Sequence, residues 1–243
     1  MKIHLNTKLA RHLILIAFLS LPGFAFGTTS QWTAWGDSLT GGNATAWPAQ
    51  LSLLTGLTMN VRGVGGQTST QIRDRFLAEP ARWGDFTIIW SGRNNVYTGT
   101  GTGPAYVLAD IATMVSQLTS SNYLVLSVLN GDYGGWDSVG GGGYADITSL
   151  NASLAATYGT HYIDIRSILV ASYNPLLTLD VSDHTRDIVP SSLRSDAIHL
   201  NTAGYAIVAN QVNIAYTNVP EPGVFALVAL SALGLLATRR GRK

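Results

Sequence analysis

The chain has 243 residues, of which 46% are hydrophobic and 12% charged, with no cysteine and a formal charge of +1. This length fills one well-packed domain and leaves little room for a second. The absence of cysteine excludes disulfides, thiolate zinc sites and a cysteine nucleophile, while a mean hydropathy of +0.19 points to apolar mass outside the core. At the start, Lys2, Lys8 and Arg11 precede an apolar run from Leu13 to Phe26, with small residues around Ala25 and Gly27. That is the layout of a secretory signal peptide, so residues 1–27 are set apart from the fold. Residues 28–219, taken as the mature body, hold eight arginines, no lysine and thirteen acidic residues, a net charge of about −5. The positive balance therefore belongs to the ends and gives no ground for nucleic-acid binding.

Within the body, short apolar segments alternate with helix-length stretches, which predicts one α/β domain with parallel strands. The predicted strands are Trp32 to Gly36, Met59 to Arg62, Phe86 to Trp90, Tyr123 to Leu129 and His161 to Ile163. Their mostly apolar character suits strands covered on both faces. The predicted helices are Pro48 to Leu54, Thr70 to Ala78, Pro104 to Thr119, Ala145 to Tyr158 and Ala203 to Tyr216. Val107, Ile111, Met114, Val115 and Leu118 recur at helical spacing, as do Tyr205, Val208, Val212 and Tyr216, so each set reads as a buried face and Met114 as core.

Ser38 follows the first strand in Trp35-Gly36-Asp37-Ser38-Leu39-Thr40, where a serine at a strand's carboxyl end can stand exposed above the sheet; its bland role is a turn or cap. Gly63-Val64-Gly65-Gly66-Gln67-Thr68 follows the second strand and can expose a backbone amide. Ser91-Gly92-Arg93-Asn94-Asn95 follows the third and can present a side-chain amide, although Gly66 also suits a plain turn and Asn94 an Asx-turn. Asn130 to Gly143 forms a glycine-rich insertion in which Tyr133 and Trp136 can stack on sugar rings or anchor the loop. Its Asp132 and Asp137 lack the ligand spacing of a calcium loop, so no metal is expected. In Ser195-Asp196-Ala197-Ile198-His199-Leu200, Asp196 can fix the imidazole of His199 while the other ring nitrogen faces Ser38. The bland roles here are a capping carboxylate and a packed histidine. His161, at the start of a strand, and His184, in a polar loop with Asp180 or Asp187 for company, have less economical partners.

Taken together, Gly36-Asp37-Ser38-Leu39, Gly66, Gly92-Arg93-Asn94-Asn95 and Asp196-Ala197-Ile198-His199 resemble the four ordered blocks of the SGNH/GDSL esterase-lipase family, over residues 32 to about 216. The resemblance implies a three-layer α/β sandwich around a mainly parallel five-stranded, flavodoxin-like sheet. It implies Ser38 as nucleophile, His199 as base and then acid, and Asp196 as the orienting carboxylate. The amides of Ser38 and Gly66 and the side chain of Asn94 would form the oxyanion hole, with no cofactor. Asn95 stands where the family's third block ends in aspartate, which puts local loop support and pKa tuning in question. Without a Gly-x-Ser-x-Gly elbow the chain departs from the α/β-hydrolases, whose Ser, Asp, His order it shares. The expected activity is ester hydrolysis, with O-acetyl or other short acyl esters of extracellular carbohydrate as the first substrate class. Asp37, Asn95, Tyr133 and Trp136 are the substrate-binding candidates. Longer acyl esters or thioesters, and glycan binding without catalysis, are the alternatives.

Residues 220–243 join Pro220-Glu221-Pro222 to an apolar run from Gly223 to Ala237 and to Arg239, Arg240, Arg242 and Lys243. A short membrane helix with a basic stop is expected there, although the run is short for a full span. The three parts in order resemble a PEP-CTERM sorting signal. That resemblance implies export across the inner membrane of a Gram-negative bacterium, recognition and removal of the tail by an exosortase-type enzyme, and association with exopolysaccharide. Oligomeric state is not legible in the sequence.

Overall fold

The computed structural model describes residues 31–41, 45–97 and 103–218. Five strands, β1 (Trp32–Gly36), β2 (Met59–Gly63), β3 (Phe86–Trp90), β4 (Tyr123–Leu126) and β5 (Tyr162–Ile163), form one wholly parallel sheet in the order β2-β1-β3-β4-β5. Successive strand residues point to opposite faces. Trp32, Ala34, Phe86, Ile88, Trp90, Leu124 and Leu126 therefore enter one core, while Trp35, Ile89 and Val125 enter the other.

The first core is closed by α1 (Trp47–Thr55), α6 (Ile165–Ala171) and α8 (Thr202–Asn218), through Trp47, Leu51, Leu169, Val208 and Val212. The second is closed by α2 (Ser69–Leu77), the short α3 (Arg93–Tyr97), α4 (Pro104–Gln117) and α5 (Gly142–Tyr158), through Ile72, Phe76, Val96, Ile111, Met114 and Leu150. The expected three-layer α/β sandwich is what forms. Each fully buried aliphatic or aromatic side chain of this kind contributes roughly 1.5–3 kcal/mol, so the sheet is held from both sides without a disulfide.

Chain order reverses direction where β1 lies between β2 and β3, and in parallel sheets of this kind the crevice at the carboxyl ends beside such a reversal is where ligands sit. Register brings the ends of β1, β2 and β3 level: Gly36 pairs with Gly63 on one side and with Trp90 on the other. A Cβ at Gly63 would stand 1.9 Å from the Gly41 nitrogen. Only a glycine lets the turn after β1 fold back across the end of β2.

Several boundaries differ from the sequence expectation. β4 stops at Leu126 because the Val128 N–H and C=O pair with the Asn151 side chain, at 2.8 and 2.9 Å, instead of with a strand. His161 precedes β5 in a 3-10 turn, stacked on Tyr123 with ring centroids 4.1 Å apart. The polar run containing His184 is not a loop but helix α7 (Thr178–Thr185), whose buried Asp180 accepts hydrogen bonds from Asn174, Ser191 and Ser192.

The expectation of a membrane-spanning tail requires correction. Among the described residues no helix is long and apolar enough to cross a membrane. The described residues therefore hold no counterpart of the expected transmembrane helix or of the membrane-anchoring and processing step built on it. The segments on which those expectations rest, 1–27 and 220–243, lie outside the described residues.

Candidate active site

The turn from Asp37 to Gly41 is tied by the Thr40 and Gly41 N–H groups, which both donate to the Asp37 carbonyl, and by the Leu39 N–H, which donates to Asp37 Oδ1 at 2.9 Å. This folding leaves Ser38 half-buried at the carboxyl end of β1, with Leu39 packed beneath it in the core. The second segment, Ser195 to Leu200, is closed by the Ser195 N–H on the His199 carbonyl at 2.8 Å and by an isolated bridge between Arg194 and Leu200.

These two segments, 161 residues apart, meet side chain to side chain. His199 Nε2 lies 2.9 Å from Ser38 Oγ, and His199 Nδ1 lies 2.8 Å from Asp196 Oδ2. The other carboxylate oxygen of Asp196 accepts the N–H groups of Ile198 and His199 at 2.9 and 2.7 Å. Partial burial pushes the Asp196 pKa up, but those backbone donors and the His199 ring outweigh it, and the carboxyl sits below its ordinary value. It therefore stays ionised through neutral and mildly acidic pH. An ionised carboxylate on one imidazole nitrogen and a serine hydroxyl on the other can draw the serine proton onto the ring. Asp196 and His199 are 54% and 37% exposed at the side chain, so solvent reaches the relay.

Asn94 lies on α3, immediately after β3, and its Nδ2 donates to the Gln67 carbonyl at 2.9 Å and, at 3.4 Å, to Asp37 Oδ2. Gly66, just before Gln67, has φ +77°, a conformation that favours glycine. A Cβ at Gly65 would stand 3.8 Å from the Ser38 Cβ, so this glycine turn borders the serine directly. The glycine turn and Asn94 thus meet each other, the one beside Ser38 and the other against Asp37.

The substrate-binding candidates fare differently. Asp37 is buried, and burial pushes its carboxyl up to about 6 despite the Leu39 N–H and the nearby His199 and Arg93. Asn95 is also buried, and it ties α3 to α2: its Oδ1 accepts the Ser69 N–H at 2.8 Å and its Nδ2 donates to Ser69 Oγ at 2.9 Å. Both side chains are engaged with the framework around the site. Tyr133 is half-buried beneath the Arg93 guanidinium, 5.3 Å from its centroid. Trp136 keeps 51% of its surface exposed. Its indole lies against Gly142 and Gly143, where a Cβ would come within 2.7 and 2.4 Å of ring atoms, which accounts for part of the glycine run.

Sequence reading gave no site role to Gly131 or Arg194 and considered Asp132 only for calcium. The Asp132 N–H donates to the Ala197 carbonyl at 2.7 Å, inside the histidine turn. Arg194 Nη1 donates to the Asp196 carbonyl at 3.2 Å. No local motif marks these contacts; the proximity of Arg194 to the Asp-x-x-His run was the one available signal. Among the described residues no group of three or more histidine, aspartate or glutamate side chains could hold a metal ion.

The model of the GDSL-like Lipase/Acylhydrolase family matches residues 33–207. No curated protein matches the chain significantly. Among solved structures, an acetyl xylan esterase, AlAXEase, superposes with a TM-score of 0.60 at 19% identity, over 76% of this chain and 98% of its own. A GDSL-like lipase from Bacteroides thetaiotaomicron VPI-5482 gives 0.58 at 21% identity, over 87% and 98%. A lipase/acylhydrolase from Enterococcus faecalis gives 0.60 at 14% identity, over 79% and 98%. At these identities the likeness shows the fold alone.

Proposed function

The chain belongs to the GDSL-like lipase/acylhydrolase family, and from that premise we propose that it is a serine ester hydrolase working through an acyl-enzyme. The observation that carries the reading is the relay Ser38 Oγ, His199 Nε2, His199 Nδ1, Asp196 Oδ2, with links of 2.9 and 2.8 Å. Ser38 attacks the ester carbonyl as His199 takes its proton, and Asp196 holds the ring and stabilises its charge. The negative oxygen of the tetrahedral intermediate is met by the N–H groups of Ser38 and Gly66 and by Asn94 Nδ2, which exchanges a partner for the oxyanion. His199 returns the proton to the departing alcohol. It then takes one from the water that attacks the acyl-enzyme and gives it to Ser38 Oγ as the Oγ–acyl bond breaks and the carboxylic acid leaves. No cofactor enters these steps.

For the substrate we propose short acyl esters of carbohydrate, with Trp136 as a stacking surface. The half-exposed indole supports this reading, as does the fold shared with an acetyl xylan esterase. Purified protein and Ser38→Ala are compared on p-nitrophenyl esters of increasing chain length and on acetylated polysaccharide. The expected outcome is turnover concentrated on acetyl esters and lost in Ser38→Ala. Unchanged hydrolysis by a folded Ser38→Ala protein refutes the mechanism, and turnover that rises with chain length refutes the substrate class.

A further inference from the structure

The turn carrying Asp196 and His199 is not secured by its own burial, since both working side chains face solvent. Its internal hydrogen bonds fix its shape but not its height above Ser38. That height is set by what touches it from outside, and two such contacts converge on one residue. The first is the Asp132 N–H on the Ala197 carbonyl at 2.7 Å.

The second runs through the Asp132 carboxylate. Oδ2 accepts from Arg194 Nη2 at 3.3 Å, and Oδ1 from Arg186 Nη1 at 2.6 Å. Arg194 Nη2 also donates to Asp183 Oδ2 at 3.0 Å, and Arg186 Nη2 to Asp183 Oδ1, which closes a four-member ring of alternating charge. From this ring Arg194 reaches back to the turn, donating from Nη1 to the Asp196 carbonyl at 3.2 Å, while its Nε holds the Val189 carbonyl at 2.7 Å. The Asp132 carboxylate is held below its ordinary value, first by the Arg186 hydrogen bond, so it keeps its charge at neutral pH.

We propose that Asp132 is a positioning residue for His199, acting through Arg194 and its own N–H to set the Asp196–His199 turn at the height that brings Nε2 to Ser38. The role rests on the reading of Ser38 and His199 given above. Asp183 and Arg194 are buried and serve the packing of α7 as well, whereas the Asp132 side chain is about one-third exposed. Asp132 is therefore the ring member whose removal perturbs the turn more than the fold. Gly131 gives a second handle: a Cβ there would stand 2.8 Å from the Ala197 carbonyl oxygen, and 2.9 Å from the Tyr133 ring, which is a side chain and can give way more readily than the backbone. Gly131→Ala thus pushes on the same turn while leaving every charge of the ring in place.

Asp132→Ala, Asp132→Glu, Gly131→Ala and Ser38→Ala are assayed on p-nitrophenyl acetate at a temperature where circular dichroism shows each folded. A displacement of a catalytic group by about 1 Å costs on the order of a hundredfold in rate. Asp132→Ala is therefore expected to lose about tenfold to a hundredfold in kcat with KM within about threefold. Asp132→Glu should recover most of that loss, and Gly131→Ala should lower kcat in the same way. A purely structural role would lower Tm without this split and without rescue by glutamate. Asp132→Ala retaining kcat within about twofold, or Asp132→Glu no better than Asp132→Ala, overturns the positioning role. Activity surviving in Ser38→Ala overturns instead the reading on which it rests.

Discussion

At the scale of single residues, the site turns on how burial and hydrogen bonding divide two carboxylates that both feel the charge of the same imidazole. Asp196 is exposed and multiply hydrogen-bonded, and sits below its ordinary pKa; Asp37 is buried and is pushed up to about 6. The former suits the partner of an imidazole that must accept a proton. The latter has a stability consequence whose sign follows from linkage. An acid whose folded pKa lies above its unfolded value binds more protons when folded, so stability is greatest below about 4 and falls as pH rises through about 6. With a gap of about two units the cost at pH 8 is roughly 3 kcal/mol. Asp37→Asn is therefore expected to raise Tm at pH 8 relative to its effect at pH 4, as measured by thermal melts at both. Equal effects at the two pH values contradict the assignment. Ser38, Gly66, Asn94, Asp196 and His199 were legible because each follows a strand or sits in a short spaced motif. Asn95 and Asp37 were not, because burial is a tertiary property that the same motif does not encode.

At the scale of elements, the loop from Asn130 to Gly143 joins the two halves of the site rather than standing apart from them. Arg93, adjacent to Asn94, donates from Nη2 to Asp137 Oδ2 at 2.6 Å, with both side chains almost wholly buried. Asp137 Oδ2 also accepts the Gly131 N–H at 2.9 Å, next to the residue that contacts the histidine turn. Removing one partner of such a buried pair leaves an uncompensated charge, at a cost of about 3–5 kcal/mol. Arg93→Met should therefore lose about that much in urea denaturation, and adding Asp137→Leu should return part of it. A single variant within about 1 kcal/mol of the native protein contradicts this account of the loop. Sequence reading allowed both an anchoring and a sugar-stacking use of its aromatics; the structure gives Tyr133 the anchoring contact and leaves Trp136 half-exposed. Helix α7 escaped the sequence for a related reason. Its aspartates suit a solvated loop until Ser191, Ser192 and Arg186 turn inward to meet them.

At the scale of the whole molecule, the alternation of apolar strands and amphipathic helices was enough to specify a parallel α/β sandwich. What it could not specify was strand order, which depends on which edges pair. The observed order puts β1 between β2 and β3, so that Ser38, Gly66 and Asn94 emerge side by side from three adjacent strand ends. The fourth block arrives from the loop before α8, across the same crevice, and completes the relay. A site assembled from four distant segments works only if the fold holds them in register, and the chemistry proposed for it rests on one activated serine. The most direct measurement is covalent labelling of the purified protein with a fluorophosphonate, followed by peptide mass mapping of the native chain, Ser38→Ala and His199→Ala. The account predicts a single adduct, on Ser38, that is absent from Ser38→Ala and strongly slowed in His199→Ala. A folded native protein that takes no label, or a Ser38→Ala protein labelled as fast as the native one, would contradict it.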